Sequence, residues 1–155
     1  MVAEISPEAL CGVLERLQKQ FAYVVIDTGS ALDDIALAVL QMSDLIVAVV
    51  TPDIPAIKNT RTLINVLRDL GIPQEAVCFV LNSVDRRDKI NAESVAEHLK
   101  VEIAAEVPFD RQSVKQSINR GIPIVSDGKT HPMIKGIHDL VGVIREKLLA
   151  PVEGR

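Results

Sequence analysis

The chain contains 155 residues, of which 48% are hydrophobic, 25% are charged and 3% are aromatic, and its formal net charge is −4. This size and balance are typical of a single folded domain with an aliphatic core, and the negative charge makes nucleic acid an unlikely partner. No apolar run is long enough to be a transmembrane segment, and no secretory signal begins the sequence. Cys11 and Cys78 lie within apolar patterns and are predicted to be buried thiols of a cytoplasmic protein.

The first half of the chain predicts two helices and two strands. Residues 6–8 read Ser-Pro-Glu, which combines a capping hydroxyl, a proline at the first helical position and an early acid. Residues 21–28 are rich in β-branched side chains and predict a strand that is buried on both faces, as in a parallel sheet. Asp33 or Asp34 is expected in the first turn of the next helix, and residues 45–51 predict a second apolar strand.

The second half alternates helices with strands. Helices are predicted over residues 55–70, 92–99, 113–119 and 132–149, strands over residues 77–82 and 103–108, and a charged loop over residues 83–88. This alternation predicts an α/β fold in which three layers, α/β/α, are built around a mostly parallel sheet. We expect residues 1–150 to form one such domain and residues 151–155 to be a flexible tail.

Two polar residues end predicted strands. Asp27 ends the first, and open α/β sheets bind their ligands at the carboxyl ends of strands. In phosphate-transfer proteins such an acid holds Mg²⁺, usually through water, and a glycine such as Gly29 lets the backbone approach a terminal phosphate. The alternative is a helix-capping aspartate in an ordinary loop. Asn82 ends the third strand, where its amide can face a purine edge or bond to the backbone of its own turn.

The sequence does not contain a phosphate-binding loop of the form Gly-x-x-x-x-Gly-Lys-Ser/Thr. The segment Gly128-Lys129-Thr130 matches the end of that motif, but Pro123 stands where the first glycine is needed. Asp127 would also place a negative charge beside the phosphates. We therefore predict a solvated turn before the last helix.

Other classes of site fit these residues less well. His98, His131 and His138 have no carboxylate or cysteine partners at metal-binding spacing, so a zinc site is not expected. No Gly-x-Ser-x-Gly elbow is present to support a hydrolase triad. A receiver-type phosphoacceptor domain needs an acidic pair after its first strand and Lys-Pro after its last, where this chain has Val107-Pro108.

Five segments resemble the C-terminal part of the MinD/ParA group of deviant P-loop ATPases, most closely its CpaE-like branch. They are residues 21–28, 50–55, 81–87, 107–110 and 119–123. The resemblance covers nearly the whole chain. It implies a partial P-loop NTPase fold and, for the full-length parent protein, a nucleotide switch that binds Mg-ATP and dimerises around it.

The resemblance also implies roles for individual residues. Asp27 would be the Walker B acid, which holds magnesium through water only in the complete domain, and Gly29 would lie near the γ-phosphate. Asn82 would face the adenine, and Pro108 would close the base pocket. CpaE-like proteins carry a degenerate response-regulator receiver domain upstream of the ATPase, and they act in localising and assembling pili or secretion machinery.

The family's phosphate-loop segment, signature lysine and switch acid have no counterpart in this sequence. We therefore expect a piece of a longer protein that neither hydrolyses ATP nor takes a cofactor by itself. The alternative is a non-enzymatic interaction module that keeps only the ATPase scaffold. Without the phosphate-loop strand, the strands of Asp27 and Thr51 must pair directly or leave an open edge. We expect rearrangement or self-association to close that gap.

Overall fold

The computed structural model describes residues 6–85, 87, 89–126 and 131–149. In this part of the chain the helices are α1 (Pro7–Gln18), α2 (Asp34–Met42), α3 (Ile54–Asp69), α4 (Ala92–Leu99), α5 (Arg111–Arg120) and α6 (Pro132–Leu149). The strands are β1 (Ile46–Val50), β2 (Val77–Val84) and β3 (Ile103–Pro108). The chain divides into two compact units, Met1–Asp44 and Leu45–Arg155.

The first unit is built on the contact between α1 and α2. The Ser6 hydroxyl caps α1 by accepting a hydrogen bond from the Ala9 backbone N–H (3.3 Å), and Asp33 caps α2 through the Ala36 N–H (2.9 Å). Both caps satisfy backbone donors that have no partner inside the helix. The predicted helix starts are confirmed.

The predicted strand at residues 21–28 is wrong. This segment has no regular secondary structure, and its apolar side chains are largely exposed, with Val25 at 92%. β-branched composition favours a strand only where a neighbouring strand supplies hydrogen bonds and packing. The sheet of the described residues consists of β1, β2 and β3, and β1 pairs with β2 alone. Two outcomes were expected, direct pairing of residues 21–28 with β1 or an open strand edge. The structure has the open edge at β1.

The second unit contains a parallel sheet in the order β1-β2-β3. The central strand, β2, is buried on both faces, since residues 77–81 expose no more than 6% each. One face, carrying Cys78 and Val80, packs against Ile137 and Leu140 of α6. On β1 only alternate residues are buried, and α3 contacts this strand, so α3 covers the other face. The predicted α/β/α layering of a parallel sheet is confirmed.

Most element boundaries match their predictions to within a few residues. The clearest difference is that β2 continues to Val84, so the predicted charged loop begins two residues later. Arg86, Asp88, residues 127–130 and the predicted tail at residues 151–155 lie outside the described residues. None of the described helices combines the length and the hydropathy that a bilayer crossing requires.

Gly136 allows α6 to pack directly against the backbone of β3. A Cβ atom at this position would lie 2.5 Å from the Glu106 carbonyl oxygen, 3.0 Å from Cδ of Pro108 and 3.2 Å from Cα of Val107. Two of these neighbours are backbone atoms, which cannot swing away as a flexible side chain could. Gly142, on the same helix, has nothing within 4 Å of the corresponding position. The end of β3 is therefore held by close contact with α6.

We expect Gly136→Ala to lower the free energy of unfolding by about 1–3 kcal/mol, because the new methyl group overpacks the α6–β3 contact. Gly142→Ala is the matched control on the same helix. It should raise the free energy of unfolding by about 0.5–1 kcal/mol, because alanine loses less conformational freedom in a helix. Urea denaturation of the three proteins measures both changes. Equal effects at the two positions would contradict the close packing of α6 on β3.

Candidate functional site

The carboxyl ends of the three parallel strands lie at one edge of the sheet. Asn82 lies near the end of β2, and Pro108 is the last residue of β3. In the pairing of these strands, Asn82 lies opposite Val107, and Val84 lies opposite Pro108. The sheet therefore brings together Asn82 and Pro108, the two residues predicted to contact a nucleotide base.

A bulge at Ser83 shapes this edge. Its φ of 62° lies in the left-handed region, which is unusual for a residue with a side chain, and the β2–β3 pairing shifts between Asn82 and Val84. Just beyond it, the Phe109 backbone N–H donates a hydrogen bond to the Val84 carbonyl oxygen (2.9 Å). Bulges re-aim neighbouring side chains, and this one sets the position of Asn82 relative to Pro108.

Asp85 and Arg87 form a closed ion pair just after β2. The Arg87 guanidinium donates through Nη2 to Oδ2 of Asp85 (2.7 Å) and through Nε to Oδ1 (3.1 Å), and the Arg87 backbone N–H also donates to Oδ1 (3.0 Å). These hydrogen bonds, with the guanidinium making the larger contribution, lower the pKa of Asp85 to about 2. The carboxylate is therefore ionised at neutral pH and occupied by its neighbour.

The other two strands are followed by aspartates that cap helices. Asp53 accepts hydrogen bonds from the Thr51 hydroxyl and the Ala56 N–H, and these bonds lower its pKa. Asp110 accepts a hydrogen bond from the Ser113 backbone N–H (2.9 Å), and its pKa is likewise lowered. Both carboxylates hold backbone donors at a helix start, so their first role is structural.

The remaining predicted site residues, Asp27 and Gly29, belong to the first unit. Both lie in the irregular segment between α1 and α2, and both are exposed. A Cβ atom on Gly29 would meet nothing within 4 Å, so no close approach requires glycine there. Within the described ranges, no three His, Cys, Asp or Glu side chains are grouped as a metal site. Magnesium binding by Asp27 stays a prediction.

A small cavity lies between α5 and the start of α6. It has a volume of about 40 Å³ and is lined mainly by polar residues, including Ser113, Ser117, Arg120 and His131. Pockets for drug-sized ligands have volumes of roughly 300–1,000 Å³, so this one is too small for a nucleotide. The segment Gly128-Lys129-Thr130, which matches the end of the phosphate-loop motif, lies outside the described residues.

Three features of this edge were not predicted from the sequence. The left-handed backbone of Ser83 could not be predicted from its residue type, because serine rarely adopts this conformation. His131 lies with Nδ1 3.9 Å from Oδ2 of Asp110, a long-range contact that only the fold reveals. The Arg87 contact could have been foreseen, since an Asp-x-Arg pair in a tight turn can close on itself.

The α/β fold of this chain is that of the MinD/ParA ATPases. A ParA family ATPase from Chlorobium tepidum superposes with a TM-score of 0.79 and 18% identity over 94% of this chain and 58% of that one. MinD, a cell division ATPase of Pyrococcus furiosus, gives 0.78 with 25% identity over 91% and 59%. MinD from Pyrococcus horikoshii, solved with Mg-ADP, gives 0.76 with 22% identity over 90% and 56%.

Sequence similarity points to the same proteins. The septum site-determining protein MinD of Thermotoga maritima is 24% identical over 146 residues, which are 91% of this chain and 53% of that protein. MinD of Bacillus subtilis is 25% identical over 134 residues, covering 84% and 50%. The chain thus spans about half the length of these curated relatives. No protein-family model matches it.

We expect Arg87→Gln to raise the pKa of Asp85 from about 2 toward its ordinary value of 3.8, because the guanidinium that stabilises the carboxylate is lost. Since folding depresses this pKa, the stabilising contribution of the pair is present above roughly pH 4 and is lost as the pH falls toward 2. Carbon-detected NMR titration of the carboxyl groups measures the shift. Asp53, whose carboxylate is held by other donors, is the internal control. An Asp85 pKa unchanged by the substitution would show that Arg87 is not its main partner.

Proposed function

We propose that this chain is the base-binding half of a MinD/ParA-like nucleotide switch. The observation that carries the proposal is the placement of Asn82 beside Pro108 at the carboxyl edge of a parallel sheet. An asparagine amide offers one donor group and one acceptor, which is the pattern that an adenine edge needs. The proline ring supplies an apolar surface against which a flat base can pack.

The phosphate-binding half of such a switch has no counterpart among these residues. Phosphoryl transfer depends on positioning and on neutralising charge with backbone N–H groups, a lysine and Mg²⁺. The sequence has no phosphate loop. Among the described residues, the aspartates that follow β1 and β3 cap helices, and Asp85, which follows β2, is paired with Arg87. This chain alone should neither hydrolyse ATP nor hold it tightly.

In the complete protein, the exposed carboxylate of Asp27 would hold Mg²⁺ through water, and Gly29 would lie beside the terminal phosphate. The ion would supply charge neutralisation for the bound nucleotide. The Mg-ADP complex of the Pyrococcus horikoshii relative supports Mg-ATP as the cofactor of the parent protein. In that setting residues 21–28 would gain the neighbouring strand that their sequence favours.

We further propose that the parent protein belongs to the CpaE-like branch. It would combine an upstream response-regulator receiver domain with this ATPase, work in the cytoplasm, and form dimers that position or assemble pili or secretion machinery. A second candidate is an interaction module that keeps the scaffold without nucleotide chemistry. The irregular, exposed segment carrying Asp27 and Gly29 favours this alternative.

Titration of Mg-ATP into the full chain tests the proposal. By calorimetry we expect no binding in the micromolar range and no phosphate release above the buffer rate. By ¹H–¹⁵N NMR we expect weak, fast-exchange shifts of the Asn82 and Phe109 signals at millimolar nucleotide. Asn82→Ala should remove most of these shifts, because the base loses its amide partner.

The matched control is Asn119→Ala, which removes the same amide group from an exposed position on α5 and should leave the shifts intact. Absence of any shift at millimolar Mg-ATP would favour the interaction module. Micromolar binding would reveal a complete phosphate site in the chain, with Gly128-Lys129-Thr130 as the first segment to test.

A further inference from the structure

None of the ten residues of α5 is buried, so this helix lies on the surface of the second unit. Its ends are held by local hydrogen bonds. Asp110 caps the start, and after Gly121, whose φ is 65°, the Ile122 backbone N–H donates to the Ser117 carbonyl oxygen (3.2 Å). The Ser117 hydroxyl also donates to the Ile122 carbonyl oxygen (2.6 Å). The helix and the turn that follows it therefore form one fixed surface, although so short a helix packs little against the core.

This surface exposes large apolar side chains. Ile118, in the last turn of α5, is 73% exposed, and Ile122, in the turn that follows, is 48% exposed. Val125 is 45% exposed three residues later. Isoleucine and valine are among the residues most often buried, and neighbouring exposed apolar side chains rimmed by polar residues are typical of interaction sites.

The same surface is basic, although the chain as a whole is acidic. Residues 111–126 contain three of the chain's 17 lysines and arginines and none of its 21 aspartates and glutamates. Arg120 lines the small cavity beside α6, whereas Arg111 and Lys115 are exposed. Among the described residues, no carboxylate forms an ion pair with Arg111 or Lys115. Their spacing from Ile118 places the two cations and this isoleucine on one side of α5.

The position of Arg111 is unfavourable for the helix alone. It is the first residue of α5, and the first turn contains no acid, so a cation lies where the helix dipole favours an anion. Asp110, the acid next to it, is already engaged in the cap. A further carboxylate beside Arg111 would be stabilised by the guanidinium and by the helix dipole together. The charges of this surface are therefore complementary to an acidic partner.

We propose that α5 and the turn at residues 121–125 are the docking site for an acidic, amphipathic segment of another protein. The carboxylates of that segment pair with Arg111 and Lys115, and its apolar side chains cover Ile118 and Ile122. A symmetric contact with a second copy is opposed, because it would bring the same cations together. Nucleic acid is also a poor fit, since residues 111–126 contain no aromatic side chain for base stacking. The docking requires no nucleotide and does not rest on the proposed function.

Fluorescence anisotropy tests this site with a labelled helical peptide of about 15 residues, built from Glu, Leu and Ala so that leucines form one face and glutamates flank it. With the full chain we expect a Kd of about 10–100 µM, which rises as salt is increased from about 0.05 to about 0.5 M. The double substitution Arg111→Gln/Lys115→Gln should weaken binding by at least about tenfold, and Ile118→Ser by at least about threefold.

Lys58→Gln is the matched control, because Lys58 is an exposed cation on α3 in the same unit and its substitution should leave the Kd unchanged. A peptide with lysine in place of every glutamate should not bind. Far-UV circular dichroism verifies that each variant is folded. Absence of peptide binding, or binding that survives the double substitution, would overturn the proposal. Tighter binding of duplex DNA or of phosphatidylglycerol vesicles, lost in the double variant, would also overturn it, because the cations would then serve phosphates.

Discussion

Burial of β2 on both faces is the constraint on which the second unit depends. A strand whose residues 77–81 are almost wholly inaccessible must have helices on both sides and hydrogen-bonded neighbours on both edges. α6 and α3 satisfy the first requirement, and β1 and β3 satisfy the second. Because all three strands are parallel, their carboxyl ends then meet at one edge. The placement of Asn82 beside Pro108 is a consequence of core packing, further fixed by the contact of Gly136 with β3.

The three aspartates at this edge are held in their charged form in two ways, by helix capping and by an ion pair. Asp53 and Asp110 accept backbone hydrogen bonds at helix starts, and these bonds lower their pKa values without any ligand. Asp85 reaches the same charged state through Arg87. A lowered pKa at a strand end is therefore explained here by local structure and gives no evidence of catalysis. Asp27 has no such structural role among the described residues, and its binding of magnesium stays a prediction.

The sequence predicted features that local interactions determine. The cap at Ser6 depends on a hydrogen bond across three residues, and the layered α/β pattern follows from hydrophobic periodicity. The prediction from sequence failed at residues 21–28. A strand needs a neighbouring strand, and β-propensity carries no information about whether one exists. The bulge at Ser83 could not be predicted from the sequence either, since it arises from the pairing of β2 with β3. The base-binding roles of Asn82 and Pro108 come only from a family resemblance and stay predictions, while the position of the two residues on neighbouring strands comes from the sheet.

The carboxyl edge that carries Asn82 and the outer edge of β1 are physically separable. Asn82, Ser83 and Pro108 are positioned by β2, β3 and α6, which all belong to the second unit. The exposed valines of β1 lie on the opposite side of β2 from β3, and none of them contributes to the pairing of Asn82 with its neighbours. A change at the outer edge of β1 therefore alters the environment of residues 46–50 without breaking the pairing of β2 with β3. The outer edge of β1 and the carboxyl ends of β2 and β3 are accordingly independent features of the sheet, because they involve different strands.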